Sequence, residues 1–143
     1  MSTYHHIMLG IDLSRDSQHV FNRVKSFVGS QTKISIVHVH EPISFAYGGD
    51  IPVDLSEIQS QLETKAKQVL AKAGTELGVD ASNQHLIIGQ PAHEMHRFAE
   101  ENNVDLIIVG SHARHGINLI FGSTASSLLH GANCDVLAVR LPS

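Results

Sequence analysis

Val104-Asp105-Leu106-Ile107-Ile108-Val109-Gly110-Ser111 sets four consecutive apolar residues between an acid and a glycine. A short run that is apolar at every position and bounded by turn residues suits a strand covered on both faces. Four other mainly apolar runs resemble it: Ile7 to Ile11, stopping at Asp12; Ile34 to Val39, stopping at His40-Glu41-Pro42; Leu86-Ile87-Ile88-Gly89; and Val136-Leu137-Ala138-Val139. Helical spacings fall between them. Val20, Val24, Phe27 and Val28 recur at a helical period, and Pro91 suits the first turn of a helix through Phe98. Asp54 and Ser56 can cap a long helix to about Leu77, closed by Gly78. Its expected inner face is Ile58, Leu62, Val69 and Leu70, and its outer face carries Glu63, Lys65, Lys67 and Lys72. A fourth helix follows Gly122. Strands alternating with helices in this way predict a parallel sheet covered on both sides, because each crossover packs back on the sheet with the same hand. The whole chain, 1–143, reads as one doubly wound α/β domain.

Composition agrees with that class. The chain has 143 residues, 42% hydrophobic and 17% charged, and a domain of this length buries roughly 70% of the surface its unfolded form exposes. A formal charge of −4, with Lys and Arg scattered, supplies no basic field for a phosphodiester backbone. No apolar run approaches the ~20 residues that span a bilayer, and Met1 to His6 lacks a basic segment followed by a long apolar stretch. Nucleic acid and membrane are therefore not expected as partners. The single cysteine, Cys134, has no intrachain partner, in keeping with the cytoplasm.

In an open parallel sheet, ligands sit beyond the carboxyl ends of the strands, where the strand order reverses. That rule selects Asp12-Leu13-Ser14, His38-Val39-His40, Gly89-Gln90 and the stretch from Gly110 to Thr124. The last is the richest. Gly110 leaves a strand, Arg114 and Gly116 follow, and Gly122-Ser123-Thr124-Ala125 opens a helix. Glycines admit phosphate oxygens close to backbone N–H groups, and a helix N-terminus offers unpaired donors with a favourable dipole. The competing reading is that the glycines only turn the chain while Ser123 caps the helix. Asp12 has two readings too, a ligand for hydroxyl groups or a helix cap in competition with Ser14.

Gly110-Ser111-His112-Ala113-Arg114-His115-Gly116, the Gly122-Ser123 pair, Ile11-Asp12-Leu13-Ser14 and Cys134-Asp135-Val136-Leu137-Ala138-Val139-Arg140 together resemble the universal stress protein family over essentially the whole chain. The resemblance implies a three-layer α/β/α sandwich on a five-stranded parallel sheet of order 3-2-1-4-5, of the adenine nucleotide alpha hydrolase type. It also implies ATP, with magnesium, as the ligand. Ile11 and Val39 would border the adenine, and Asp12 would accept from the ribose. Gly110, Gly122, Ser123, Thr124 and Ala125 would surround the phosphates, with Leu13, Val109, His112, Ala113 and Arg114 beside them. The family's ATP pattern is glycine, two residues, glycine, nine residues, glycine and Ser or Thr. Here Ala113 stands at the second glycine, and eight residues separate it from Gly122. The alternative is therefore a nucleotide-free UspA-type homodimer acting through protein contacts. In either case the last strand, Val136, Leu137, Ala138, Val139 and Arg140, is the expected dimer edge, since a free apolar edge needs cover.

Eleven histidines raise the question of a metal. None is expected. His93 and His96 have no third ligand placed with them by sequence, and the His38-Val39-His40 alternation is read as turning its imidazoles to opposite faces of the sheet. His112 and His115 read as loop residues near a phosphate. An enzyme is not expected either. No nucleophile, base and orienting group fall into a recognisable pattern, and Asp12-Leu13-Ser14-Arg15-Asp16-Ser17 lacks the glycines of the related pyrophosphatase loop. Slow ATP hydrolysis would be incidental. Cys134 reads as a packed small residue, and the loop from Glu41 to Asp54 is left with two roles, ligand cover or partner contact.

Overall fold

A computed structural model describes residues 4–12, 17–41, 56–111 and 123–140 of the chain. The elements run β1 (His6–Gly10), α1 (Ser17–Phe27), β2 (Lys33–His40), α2 (Ser56–Leu77), a 3₁₀ turn (Ala81–Asn83), β3 (Gln84–Ile88), α3 (Pro91–Glu101), β4 (Leu106–Ser111), α4 (Ser123–Gly131) and β5 (Asp135–Arg140). All strand pairs are parallel, and the sheet order is β3-β2-β1-β4-β5. The expected order is the observed one. The chain winds outward from β1 to one edge, crosses back to β4 and finishes at β5, so the order reverses between β1 and β4.

The strand repeat of two distributes side chains to two separate cores. Ile7, Leu9, Ile36, Leu106 and Ile108 pack under α1 and α2, against Val20, Phe21, Val24, Leu70 and Ala73. Met8, Val37, Ile107 and Val109 point the other way, against Met95 and Ala99 of α3 and Leu128 of α4. That is why the central runs are apolar at every position.

Two expectations about packing need correction. The buried stripe of α2 is Ala66, Leu70, Ala73 and Gly74, whereas Ile58 is 48% exposed. Small residues let this helix lie close to the sheet, and Ile58 sits in its first turn, short of the covered region. Val28 is likewise exposed, lying one residue past the end of α1. Gly78 does close α2, at φ 68°, where an L side chain would be strained. Asp54 and the segment 42–55 lie outside the described residues.

Polar groups at the amino-terminal edge of the sheet bond to one another. The Asp105 carboxylate accepts from the backbone N–H of His5 and of His6, each at 2.8 Å. His6 is buried. Its Nδ1 lies 2.9 Å from the Asn102 carbonyl, which can only accept, so Nδ1 carries the proton and Nε2 accepts from the Ser35 hydroxyl at 2.7 Å.

Candidate nucleotide site

The candidate site lies at the opposite, carboxyl-terminal edge, where β1 and β4 part. β1 is shorter there than β2. Its last paired residue, Gly10, sits against Val37 on one side and Val109 on the other, while β2 continues to His40 alongside Ile88. The Ile11 N–H donates to the Val37 carbonyl at 2.9 Å, and the Gly89 N–H to the His40 carbonyl at 3.0 Å. Successive peptide groups alternate sides along a strand. Those of Val39 therefore turn toward β1, past its last paired residue.

Ile11 and Val39 are thus brought to the same edge on neighbouring strands, yet their side chains do not face one another. Ile11 is buried in the layer under α1 and α2, and Val39 in the layer under α3 and α4. Val39 turns its backbone toward the crevice, whereas the N–H and carbonyl of Ile11 are taken by the Val37 carbonyl and His38 Nδ1. Asp12 follows Ile11 directly and is exposed. On the other side of the reversal, Val109 is buried and Gly110 half-buried as β4 approaches its end beside β5. Because α4 runs back across the sheet to β5, its first residues, Ser123, Thr124 and Ala125, begin at this same edge, with the unpaired N–H groups of its first turn. Leu13, His112, Ala113, Arg114 and Gly122 lie outside the described residues.

The histidines depart from expectation. His38 and His40 point to the same face, because residues two apart on a strand share a side. Their ring centroids are 6.4 Å apart, tilted by 48°. Both are buried. The His38 Nδ1 donates to the Ile11 carbonyl at 2.8 Å, which fixes its tautomer and ties the end of β1 to β2. Among the described residues, the buried His40 Nε2 has no hydrogen-bond partner. Sequence reasoning missed this pair, although the strand period alone was sufficient to find it. His96 is occupied elsewhere, its Nε2 donating to the Leu128 carbonyl at 2.9 Å and linking α3 to α4, while His93 is exposed.

Cys134 is half-buried against the α3–α4 core. Burial, with lesser contributions from Asp135 and Asp105, pushes its thiol up from the ordinary range, which disfavours the reactive thiolate. At β5, the predicted edge residues divide. Val139 is buried in the chain's own core, Val136, Leu137 and Ala138 are half-buried, and Arg140 is exposed. No helix among the described residues is long and apolar enough to cross a membrane.

Comparison with known proteins follows the same lines. Residues 3–140 match the model of the universal stress protein family. Universal stress protein A homolog 1 of Coxiella burnetii is 38% identical over 139 residues, covering 95% of this chain and 96% of that protein. Homolog 2 of the same organism is 34% identical over 138 residues, covering 94% and 92%. Among solved structures, the universal stress protein UspA of Lactobacillus plantarum superposes with a TM-score of 0.76 at 19% identity, over 98% of this chain and 100% of that one. A universal stress protein in complex with cAMP superposes with a TM-score of 0.64 at 20% identity, over 97% and 98%.

Proposed function

We propose, starting from the fact that this chain belongs to the universal stress protein family, that it is a stress-response regulatory protein holding an adenine nucleotide at the reversal between β1 and β4. The observation that carries this reading is the overhang of β2 beyond β1. It turns the Val39 peptide groups toward the crevice, where a donor and an acceptor can meet the edge of a purine. Asp12, exposed at the end of β1, is placed to accept two ribose hydroxyls. The first turn of α4 begins at the same edge and suits phosphate oxygens. A relative of the same fold has been solved with cAMP, which supports an adenine ligand. ATP, with magnesium, is the ligand we assign, and binding rather than turnover is the role.

The test is isothermal titration of MgATP into nucleotide-stripped protein, alongside a Gly122→Val/Ser123→Ala variant. Saturable binding is expected for the wild type. A bond to a charged phosphate contributes about 1.5–3 kcal/mol, so the double variant should lose about tenfold or more in affinity. Ala113 and the shortened spacing to Gly122 favour the second reading, a nucleotide-free UspA-type dimer. Absence of binding by the wild type would establish that reading over the first.

Both readings include a homodimer in the cytoplasm, formed through β5. This strand ends the sheet, and its outer backbone has no partner strand among the described residues. Val139 faces the chain's own core, so a charge there would test folding instead of assembly. Val136 is the better position, since a half-buried Val136→Lys can raise its ammonium to solvent along an apolar stem. Sedimentation should show the variant as a monomer and the wild type as a dimer. An unchanged dimer would remove β5 from the interface.

A further inference from the structure

His38 and His40 end β2 on one face of the sheet, buried, with ring centroids 6.4 Å apart. The two rings are in different states. The His38 Nδ1–H is held by the Ile11 carbonyl at 2.8 Å, which leaves its Nε2 as the lone-pair nitrogen. The His40 Nε2 is buried and has no hydrogen-bond partner among the described residues. A buried polar atom without a partner is uncommon and costly, and calls for an account. A metal ion supplies one. Imidazoles that bind a metal through one nitrogen characteristically donate from the other to a carbonyl or carboxylate, which fixes the tautomer and the ring's direction. His38 already makes that bond.

We infer that His38 and His40 form a two-imidazole site for a borderline transition-metal ion of the zinc or copper class. Imidazole nitrogens suit these ions. Zinc lies about 2.0–2.1 Å from a histidine nitrogen, so one tetrahedral ion shared by two rings holds their centroids about 5 Å apart. The observed 6.4 Å is wider than this, so the two rings must swing together by roughly 1 Å as the ion enters. Among the described residues no third His, Cys, Asp or Glu completes the set, so water takes the remaining positions and the ion is held reversibly. Asp12 and Glu41, the exposed carboxylates next in sequence to Ile11 and His40, give this edge the negative field that a cation favours. The site does not depend on nucleotide binding, and its test contains none.

The test uses the full chain freed of metal with a chelator, into which zinc chloride is titrated against a chromophoric competitor. One saturable site per chain is expected. His40→Phe keeps a planar ring and removes both nitrogens, and His38→Gln removes the second ligand. Loss of an outer-shell partner already costs about 10–100-fold in metal affinity, so each variant should lose at least about tenfold. His93→Gln, altering an exposed histidine of α3, should bind as the wild type does. Metal-free His40→Phe should melt no lower than the wild type, because it removes an unpartnered buried atom; a residue needed only for folding would not behave so. X-ray absorption at the zinc edge should show two imidazole nitrogens. Absence of a saturable site in the wild type, or undiminished affinity in His40→Phe, would overturn the inference. If His38→Gln does not fold, His40→Phe decides alone.

Discussion

Gly74→Ala should destabilise the protein by about 2 kcal/mol, against the direction that helix propensity sets. In an exposed helix interior the same change gains about 1 kcal/mol. Gly74 is buried within α2, and its carbonyl accepts from the Val79 N–H at 2.8 Å. The Gln84 side chain then reaches back to donate to the Val79 carbonyl at 2.9 Å. One small residue thus lets the end of α2, the turn after it and the start of β3 close on one another. A Cβ at position 74 would land on the Gln84 amide and come within 2.7 Å of the Val79 oxygen. The first contact can be relieved only by breaking the Gln84 bond, at a cost of about 1 kcal/mol. The second involves backbone, and overpacking of that kind costs about 1–3 kcal/mol. Gly74→Val adds a branched side chain to the same space and should lose about 4 kcal/mol, beyond the usual overpacking range. Urea denaturation should show lower midpoints with unchanged slopes. An alanine variant more stable than the wild type would mean that this approach is not close in solution.

The element order was legible because burial on both faces leaves strands with almost no polar residues, as in Ile107, Ile108 and Val109, and helices with a periodic stripe, as in Val20 and Val24. The inner face of α2 was not legible for the same physical reason in reverse. Its contacts are made by Ala66, Ala73 and Gly74, whose small side chains carry little hydrophobic signal, while the larger Ile58 stands outside the covered length. For the candidate site, the topological rule pointed to the carboxyl-terminal edge of the sheet, and Ile11, Asp12, Val39 and Gly110 do lie there. It did not reveal that Ile11 and Val39 bury their side chains in opposite layers, because that depends on parity across two strands whose ends are unequal. The overhang of β2 is a matter of register, which emerges only when the pairing partners are known. The shared face of His38 and His40 required no structure, only the period of a strand.

Asp105→Asn should cost about 2–3 kcal/mol at neutral pH, and the loss should vanish in acid. Each carboxylate oxygen accepts a backbone N–H from the start of β1, His5 on one and His6 on the other, and the Asp105 N–H donates to the His6 carbonyl at 3.0 Å. The carboxylate therefore joins β4 to β1 before the ladder begins. An amide keeps one acceptor and turns its NH₂ on the other donor, losing a bond to a charged group of about 1.5–3 kcal/mol. Burial by itself would raise the Asp105 pKa, but the N–H groups of His5, His6 and Asp105 itself outweigh it and hold the carboxyl below the ordinary range. A depressed folded value means that the unfolded chain takes up the proton first. The stabilisation is complete above the unfolded value of about 3.9 and is lost as pH falls through the folded one. His6 titrates earlier. Its pKa is lowered chiefly by burial, only partly offset by the Asn102 carbonyl, so its contribution is complete above about 6.5 and declines as the unfolded imidazole protonates below that. Wild type and variant should both lose stability from His6 on acidification. Asp105 is the weakest of the influences on His6, so the gap between them should widen only slightly near pH 5.5. By pH 3 it should have narrowed. Urea midpoints at pH 7.5, 5.5 and 3.0 measure both steps, and a gap that persists undiminished at pH 3 would show that the carboxylate's charge is not what holds β1 to β4.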